Sequence, residues 1–277
     1  MFTKAFGIYT SGGDDSIKND ALIIEVGYSH IACLVKGSDN MITAFELYTR
    51  SKQETSDFKS LFSGVLANSQ LLDKTYADTN LYINNQLAIA VPAARCDTEI
   101  VNDYLNIVFA EDEGTVQQVD DVSAEAGLIN AFRIQQEWLD VVNRHFKMVK
   151  IQHSYTSIIR SVITTASDAL IKVQFYPAYI ITVVMKDGAL QFIQSFMYQS
   201  TEDVLYYLLS ISQQFNLNTP DLTIYASGMI DLRSAMHSQL VKYFKDIVLE
   251  DADKSRLAID MGQHPSHYFT PFFNLAQ

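Results

Sequence analysis

Cysteine, histidine and serine supply the residues of this chain whose types and spacing could do chemistry. Cys96 stands just before Asp97-Thr98-Glu99, a run that starts a helix, and a thiol at a helix N-terminus can be lowered in pKa and act as a nucleophile. No His/Asn constellation accompanies it, so a plain structural cysteine is the preferred reading. Cys33 lies in the apolar run HIACLV, and two cysteines in such different settings do not make a disulfide framework. His264 and His267 are spaced i to i+3 and could share a metal on a helix. Pro265 lies between them and no Asp or Cys joins them, which favours surface histidines. His153 closes an expected strand beside Ser154; polar cleft chemistry and capping of the next helix are both open, with capping preferred. Tyr268, Phe269, Phe272 and Phe273 could dock a partner, but such a cluster more often folds back onto the core. There is no G-x-x-x-x-G-K-[ST] loop, G-x-G-x-x-G, H-E-x-x-H or C-x-x-C.

The balance of the chain narrows its partners. It has 277 residues, 32 acidic and 20 basic, and a formal charge of −12. With a pI near 4.8 and no basic cluster, a sequence-independent grip on DNA or RNA is excluded, and so is an electrostatic hold on an anionic membrane surface. At 48% hydrophobic and 19% charged residues, the chain can bury a substantial core. Its apolar stretches, such as Leu87 to Ala94 and Ala178 to Met185, fall short of the roughly 18 residues that span a bilayer. MFTKAFGIYTSGGDD does not read as a secretory signal, so the expected location is the cytoplasm.

The elements that must position any site follow from periodicity. Ala21 to Gly27, Ser29 to Gly37 and Met41 to Thr49 are β-rich, with Gly37-Ser38-Asp39-Asn40 as a hairpin turn. Thr55-Ser56-Asp57 caps a helix running to about Leu72. Then come strand-like Asn80 to Val91, broken at Asn84-Asn85, a helix from Asp97 to Phe109, and Glu111 to Ser123, read as an acidic solvated loop. Strand 127–134, helix 135–146, strand 147–153 and helix 154–165 follow. The pattern then restarts: Ala169 to Phe175, Ala178 to Met185 and Leu190 to Tyr198 are β-rich, with Lys186-Asp187-Gly188 as the turn. A helix from Thr201 to Phe215, strand Leu222 to Ala226, helix Asp231 to Phe244 and strand Ile247 to Leu249 complete it. Asp-Ala-Leu-Ile opens both halves, at Asp20 and again 148 residues later at Asp168. The order βββαβαβ, repeated, predicts an α/β protein with two lobes, each a mixed sheet covered by helices: the duplicated actin-like, ribonuclease-H-like architecture. The lobes are expected at 1–167, with an insertion around 97–146, and at 168–277.

At this level the chain resembles known families. Gln86-Leu-Ala-Ile-Ala-Val-Pro-Ala-Ala followed by a helix is similar to the strand-Val-Pro-helix passage of actin-like ATPases, and 127–163 resembles part of the bacterial actin-like pilus-assembly proteins. Val91-Pro92 before Tyr104-Leu105, Gln152-His153-Ser154, Ser227-Gly228-Met229-Ile230 and His264-Pro265-Ser266-His267-Tyr268 resemble an uncharacterised Bacteroidetes family with an actin-like fold.

The resemblance implies where a nucleotide site would lie. Actin-like ATPases grip phosphates with two hairpins whose Asp residues organise Mg²⁺. Glu25-Val26-Gly27-Tyr28-Ser29 is similar to the first, D-x-G-x-S/T, with a longer carboxylate. The second has become Val173-Gln174-Phe175-Tyr176-Pro177, without acid or glycine, and its rings are expected to fill the phosphate's place. The adenosine loop survives as Ser227-Gly228. A vestigial site of Glu25, Gly27, Ser29, Ser227 and Gly228 is therefore expected, with no catalytic residue, no metal ligand, and Glu25→Ala silent in stability and activity. The expected function is a non-enzymatic interaction or assembly protein with a protein partner; the alternative is a nucleotide-binding protein with weak or no hydrolysis, in which ATP and Mg²⁺ enter.

Overall fold

The structure is a computed structural model and describes residues 2–10, 19–50, 57–96, 100–123, 127–163 and 169–277. In chain order it contains β1 (Thr3–Tyr9), β2 (Ala21–Gly27), β3 (His30–Lys36), β4 (Ile42–Thr49), α1 (Phe58–Asn68), β5 (Asp78–Asn84), β6 (Ala88–Pro92), α2 (Val101–Phe109), β7 (Thr115–Ser123), β8 (Leu128–Gln135), α3 (Gln136–His145), β9 (Val149–His153) and α4 (Ser154–Ile163). The second half contains β10 (Ala169–Phe175), β11 (Tyr179–Lys186), β12 (Ala189–Met197), α5 (Thr201–Gln214), β13 (Thr223–Gly228), α6 (Ala235–Leu240), β14 (Asp246–Leu249) and α7 (Thr270–Phe273). The chain divides into two compact units, one of residues 1–157, 253–262 and 275–277, the other of 158–252 and 263–274.

The first unit is built on a six-stranded sheet of order β1-β4-β3-β2-β5-β9. β2 runs antiparallel to β3 and parallel to β5, and β5 is parallel to β9. β2, β3 and β4 are buried at nearly every position, as strands covered on both faces are. Helix α1 starts at the Asp57 cap, which accepts from Ser60 N at 2.7 Å, and buries Phe58, Leu61, Phe62 and Val65. β6, β8 and β7 form a separate three-stranded antiparallel sheet, on which α2 lays Val101 and Leu105 against Ala131.

β1 has no counterpart in the sequence reading; it pairs antiparallel with β4. Its attachment is chemical as well as geometric. The fully buried Glu46 carboxylate of β4 accepts from Lys4 Nζ (2.9 Å) and Tyr9 Oη (2.6 Å), and also from Tyr48 Oη, Ser69 Oγ and Gln70 N. The unit is completed by late segments of the chain. Ala258 N donates to Ile42 O at 2.9 Å, and Ala276 O accepts from Lys36 Nζ at 3.1 Å and Arg256 Nη2 at 2.8 Å.

The second unit carries a five-stranded sheet of order β12-β11-β10-β13-β14. β10 is antiparallel to β11 and parallel to β13, which is parallel to β14. Matching β4, β3, β2, β5 and β9 to β12, β11, β10, β13 and β14 gives the same order and directions, so the duplication holds at the level of topology. The Asp187-Gly188 turn has φ of 53° and 72°, the left-handed pair that a tight hairpin requires. Helix α5 opens on a reciprocal capping box of Ser200 and Asp203 and buries Val204, Leu208 and Ile211 against Ile171, Val173, Ile180 and Ile224.

Two elements differ from the sequence reading. The acidic stretch expected as a loop contains strand β7 from Thr115. Its polar composition fits an edge strand, because only one of its sides is paired. The helix expected over 231–244 is reduced to α6, six residues capped by Ser234, with turns on either side. Asp168 and the residues Asp97, Thr98 and Glu99 lie outside the described residues.

Candidate functional site

In sheets of this kind the crevice at the carboxyl ends of the parallel strands is where ligands bind. In the first unit those ends bring Gly27, Asn84 and His153 together, since Gly27 pairs with Asn84 and Ile83 with His153. Glu25, two residues back on β2, is wholly buried. Its Oε2 lies 2.8 Å from His30 Nε2, and its Oε1 accepts from Asn84 Nδ2 at 2.9 Å and Ser154 Oγ at 2.6 Å. One carboxylate thus joins β2, β3, β5 and the start of α4. This corrects the expectation that Glu25→Ala is silent: the substitution strands three buried polar groups, and its cost is in stability.

His153 is also buried, and burial pushes its pKa down to about 3, so the ring is neutral near pH 7. Its Nδ1 accepts from Tyr155 N at 3.1 Å, the helix-capping role preferred from sequence, while Nε2 faces Asn85 Oδ1 at 3.3 Å. Asp120 of β7 accepts from His153 N at 2.7 Å and Thr156 Oγ1 at 2.6 Å, and Thr156 in turn accepts from Asn130 Nδ2. Sequence reasoning missed Asp120, His30 and Asn84. For Asp120 a signal existed in the alternation Val116, Gln118, Asp120, Val122.

The other expected residues fall as follows. Gly27 and Ser29 flank the exposed Tyr28, over whose ring the Arg50 guanidinium sits at 5.1 Å. Ser29 Oγ is buried and has no hydrogen-bond partner among the described residues, and the same is true of Ser227 Oγ in the second unit. Gly228 ends β13 beside Phe175, whose carbonyl accepts from Met229 N at 2.8 Å. Gly228 has φ of +85°, and a Cβ there would stand 2.1 Å from Phe175 O, so only glycine fits. Phe175 packs in the core of the unit, and Tyr176 stacks on Tyr179 at 4.8 Å and meets the edge of Phe272 at 5.7 Å. Phe269, Phe272 and Phe273 are buried, as the folded-back reading expects.

Histidines 264 and 267 part company. His264 is exposed, but His267 is buried with Nε2 donating to Ile230 O at 2.8 Å, which corrects its reading as a surface residue. Cys33 is fully buried, with its thiol pKa pushed up by burial, and Cys96 is half-buried. Among the described residues no group of three or more His, Cys, Asp and Glu is placed to hold a metal ion.

The family described as Protein of unknown function (DUF3822) matches residues 14–247. The chain belongs to this family. The DUF3822 chain is similar in structure to a Bacteroides thetaiotaomicron protein with actin-like ATPase fold and unknown function, at TM-score 0.74 and 16% identity over 86% of this chain and 93% of that one. It is also similar to a chain of the PilM-PilN type IV pilus biogenesis complex, at TM-score 0.60 and 10% identity over 92% and 97% of the two chains. These likenesses establish the actin-like ATPase fold. No curated protein matches the sequence.

That fold implies Mg²⁺ and ATP, and the residues can be tested against both. Mg²⁺ does not fit: the only carboxylate of the first hairpin already serves His30, Asn84 and Ser154 from inside the protein, and β10 ends in Phe175-Tyr176-Pro177 with no acid. The amides at that end are also spent, Tyr176 N on Tyr179 O and Met229 N on Phe175 O.

Proposed function

We propose that this chain is a non-enzymatic interaction or assembly protein on an actin-like scaffold whose nucleotide site, Glu25, Gly27, Ser29, Ser227 and Gly228, is vestigial. The observation that carries this reading is the Glu25 carboxylate, buried and committed to His30, Asn84 and Ser154 where the resemblance asks for a metal-organising acid. Phosphoryl transfer depends on the metal and on positioning charges, and this hairpin offers neither in free form. The lobes proposed are 1–167, with the insertion around 97–146, and 168–277; the partner proposed is a protein, met in the cytoplasm. The likeness to a chain of a two-protein pilus complex supports a protein partner. No helix among the described residues is long and apolar enough to cross a membrane.

A second reading is favoured by one observation: the buried hydroxyls of Ser29 and Ser227, unpartnered among the described residues, lie at two positions where the resemblance places nucleotide contacts. On that reading the chain holds a nucleotide without hydrolysing it. Differential scanning fluorimetry with ATP, with and without Mg²⁺, separates the two. A ligand at 100 times its dissociation constant adds about 2.7 kcal/mol, which moves the melting temperature by several degrees. An unchanged melt at millimolar ATP, with no phosphate release above a blank, is expected; a rise without turnover supports the second reading, and turnover overturns both.

A further inference from the structure

Two helices of the first unit differ on the side they turn to solvent. In α3 every exposed position is polar: Gln136, Glu137, Asp140, Asn143, Arg144 and His145. That is the ordinary pattern of a helix with one buried stripe. α2 carries two apolar stripes. Val101 and Leu105 pack on Ala131, while Ile100, Tyr104, Ile107 and Val108, spaced i, i+4, i+7 and i+8, share another side. Ile107 is 80% exposed, Val108 56% and Ile100 39%, with Tyr104 half-buried. Val119 of the edge strand β7 pairs with Ala131, so it projects from the sheet face that α2 covers, and it too is exposed.

The charge around this stripe has one sign. Residues 96–132 hold nine of the 32 acids and no lysine or arginine, while the rest of the chain is nearly balanced. Asp103 lies one turn from both Ile100 and Ile107, and Glu111, Asp112 and Glu113 follow the last turn of α2; all four are exposed. A helix C-terminus favours cations, yet α2 has no basic residue in its last turn. The three acids after it also line a cavity of 390 Å³ together with Asn102, Asn106 and Arg133. Arg133 is buried and already committed, donating to Ala110 O at 2.6 Å and to the side-chain oxygens of Asn102 and Asn106. Among the described residues none of Asp103, Glu111, Asp112 and Glu113 forms an ion pair. The local charge therefore works against the helix it follows, and a cation supplied from outside reverses that.

We propose that this face of α2 docks an amphipathic, lysine- or arginine-rich segment of a partner protein. The segment lays its apolar side chains on Ile100, Tyr104, Ile107 and Val108 and sets its cations beside Glu111, Asp112 and Glu113. Charge decides the occupant: a basic segment relieves the acids at the helix end, whereas a second copy of this chain would set like charge against like. A face of about two helical turns fits a transient contact, not an obligate one. The inference rests on the reading of this chain as an interaction protein and gives the chemistry of its partner.

Fluorescence anisotropy of the full chain with a labelled peptide of leucine and lysine at helical spacing tests it. Saturable binding with a dissociation constant of about 10 μM is expected, weakened at least about tenfold by Ile107→Ser and by Glu111→Gln with Glu113→Gln, with circular dichroism unchanged. Asp73→Asn with Glu202→Gln removes the same charge from exposed positions elsewhere and is expected to bind as the wild type does. Hydrogen exchange on the wild type needs no variant: the peptide is expected to slow exchange over 100–109. No saturable binding, equal binding of a leucine-glutamate or a serine-lysine peptide, or variants of α2 that bind as the wild type does overturns the proposal. So does exchange over 100–109 that slows with protein concentration alone, which would assign the face to a second copy. Any of these, with ATP still silent in the melt, removes this inference and leaves the vestigial-site reading standing.

Discussion

The ends of β2 and β10 occupy the same place in two sheets of the same strand order, at a constant offset of 148 residues from Ala21 to Ala169 and from Gly27 to Phe175. At that offset Glu25 answers to Val173, and Ser29 to Pro177. One end is sealed by a carboxylate and its three donors, the other by rings and a glycine pressed on a carbonyl. Both arrangements engage the strand end from within, although the Ser29 and Ser227 hydroxyls find no partner among the described residues. One topology can thus close its two matching strand ends by two different chemistries.

The largest expected effect lies at the aromatic end. Gly228→Ala combines a φ of +85° with a Cβ placed 2.1 Å from Phe175 O, so β13 and β10 must separate. A loss of about 4 kcal/mol or more is expected, read as a collapse of the urea midpoint. A midpoint within error of wild type would mean that the two strand ends are not packed as described. The polar end should cost somewhat less: Glu25→Ala leaves His30, Asn84 and Ser154 buried without their acceptor and is expected to lose about 3 kcal/mol, and Glu25→Gln about half of that. Equal melting curves for Glu25→Ala and wild type would place the carboxylate in water and restore the silent-residue expectation.

The smallest effect is a slope. His153 titrates near 6.5 when unfolded and about 3 when folded, so between those values the unfolded chain binds the extra proton. Its stabilising contribution is therefore complete above pH 6.5 and falls with acidification, by up to about 1.4 kcal/mol per pH unit. Unfolding free energies at pH 7, 6 and 5 should decline for the wild type and decline less steeply for His153→Gln. A parallel decline in both would assign the acid sensitivity to another group.

Most of the scaffold was legible because its strands are apolar runs bounded by strong turns, and two of its helices, α1 and α5, open on Asp57 and Ser200 caps that sequence patterns betray. β1 escaped because TKAFGIY shows no clean alternation and is held by Lys4 and Tyr9 reaching a buried Glu46 that local pattern cannot reveal. β7 escaped because charge on an edge strand looks like charge on a loop. The candidate site was half legible. Glu25, Gly27 and Ser29 were singled out by their resemblance to the D-x-G-x-S/T hairpin, but what Glu25 does depends on Asn84 and Ser154, 59 and 129 residues away, and no window along the chain sees such distances.

The return of residues 253–262 and 275–277 to the first unit carries a consequence for synthesis on the ribosome. The six-stranded sheet of the first unit cannot make its bonds to Ala258 and Ala276 until those residues have been translated, more than 200 residues after Ile42. Most of the second unit, residues 158–252, lies between, so the nascent chain must carry an incomplete first unit through the interval in which that stretch emerges. A stop codon placed after Ala252 would therefore damage not only the second unit, which loses residues 263–274, but also the unit farther from it along the chain, leaving Lys36 without the Ala276 carbonyl and Ile42 without the Ala258 amide.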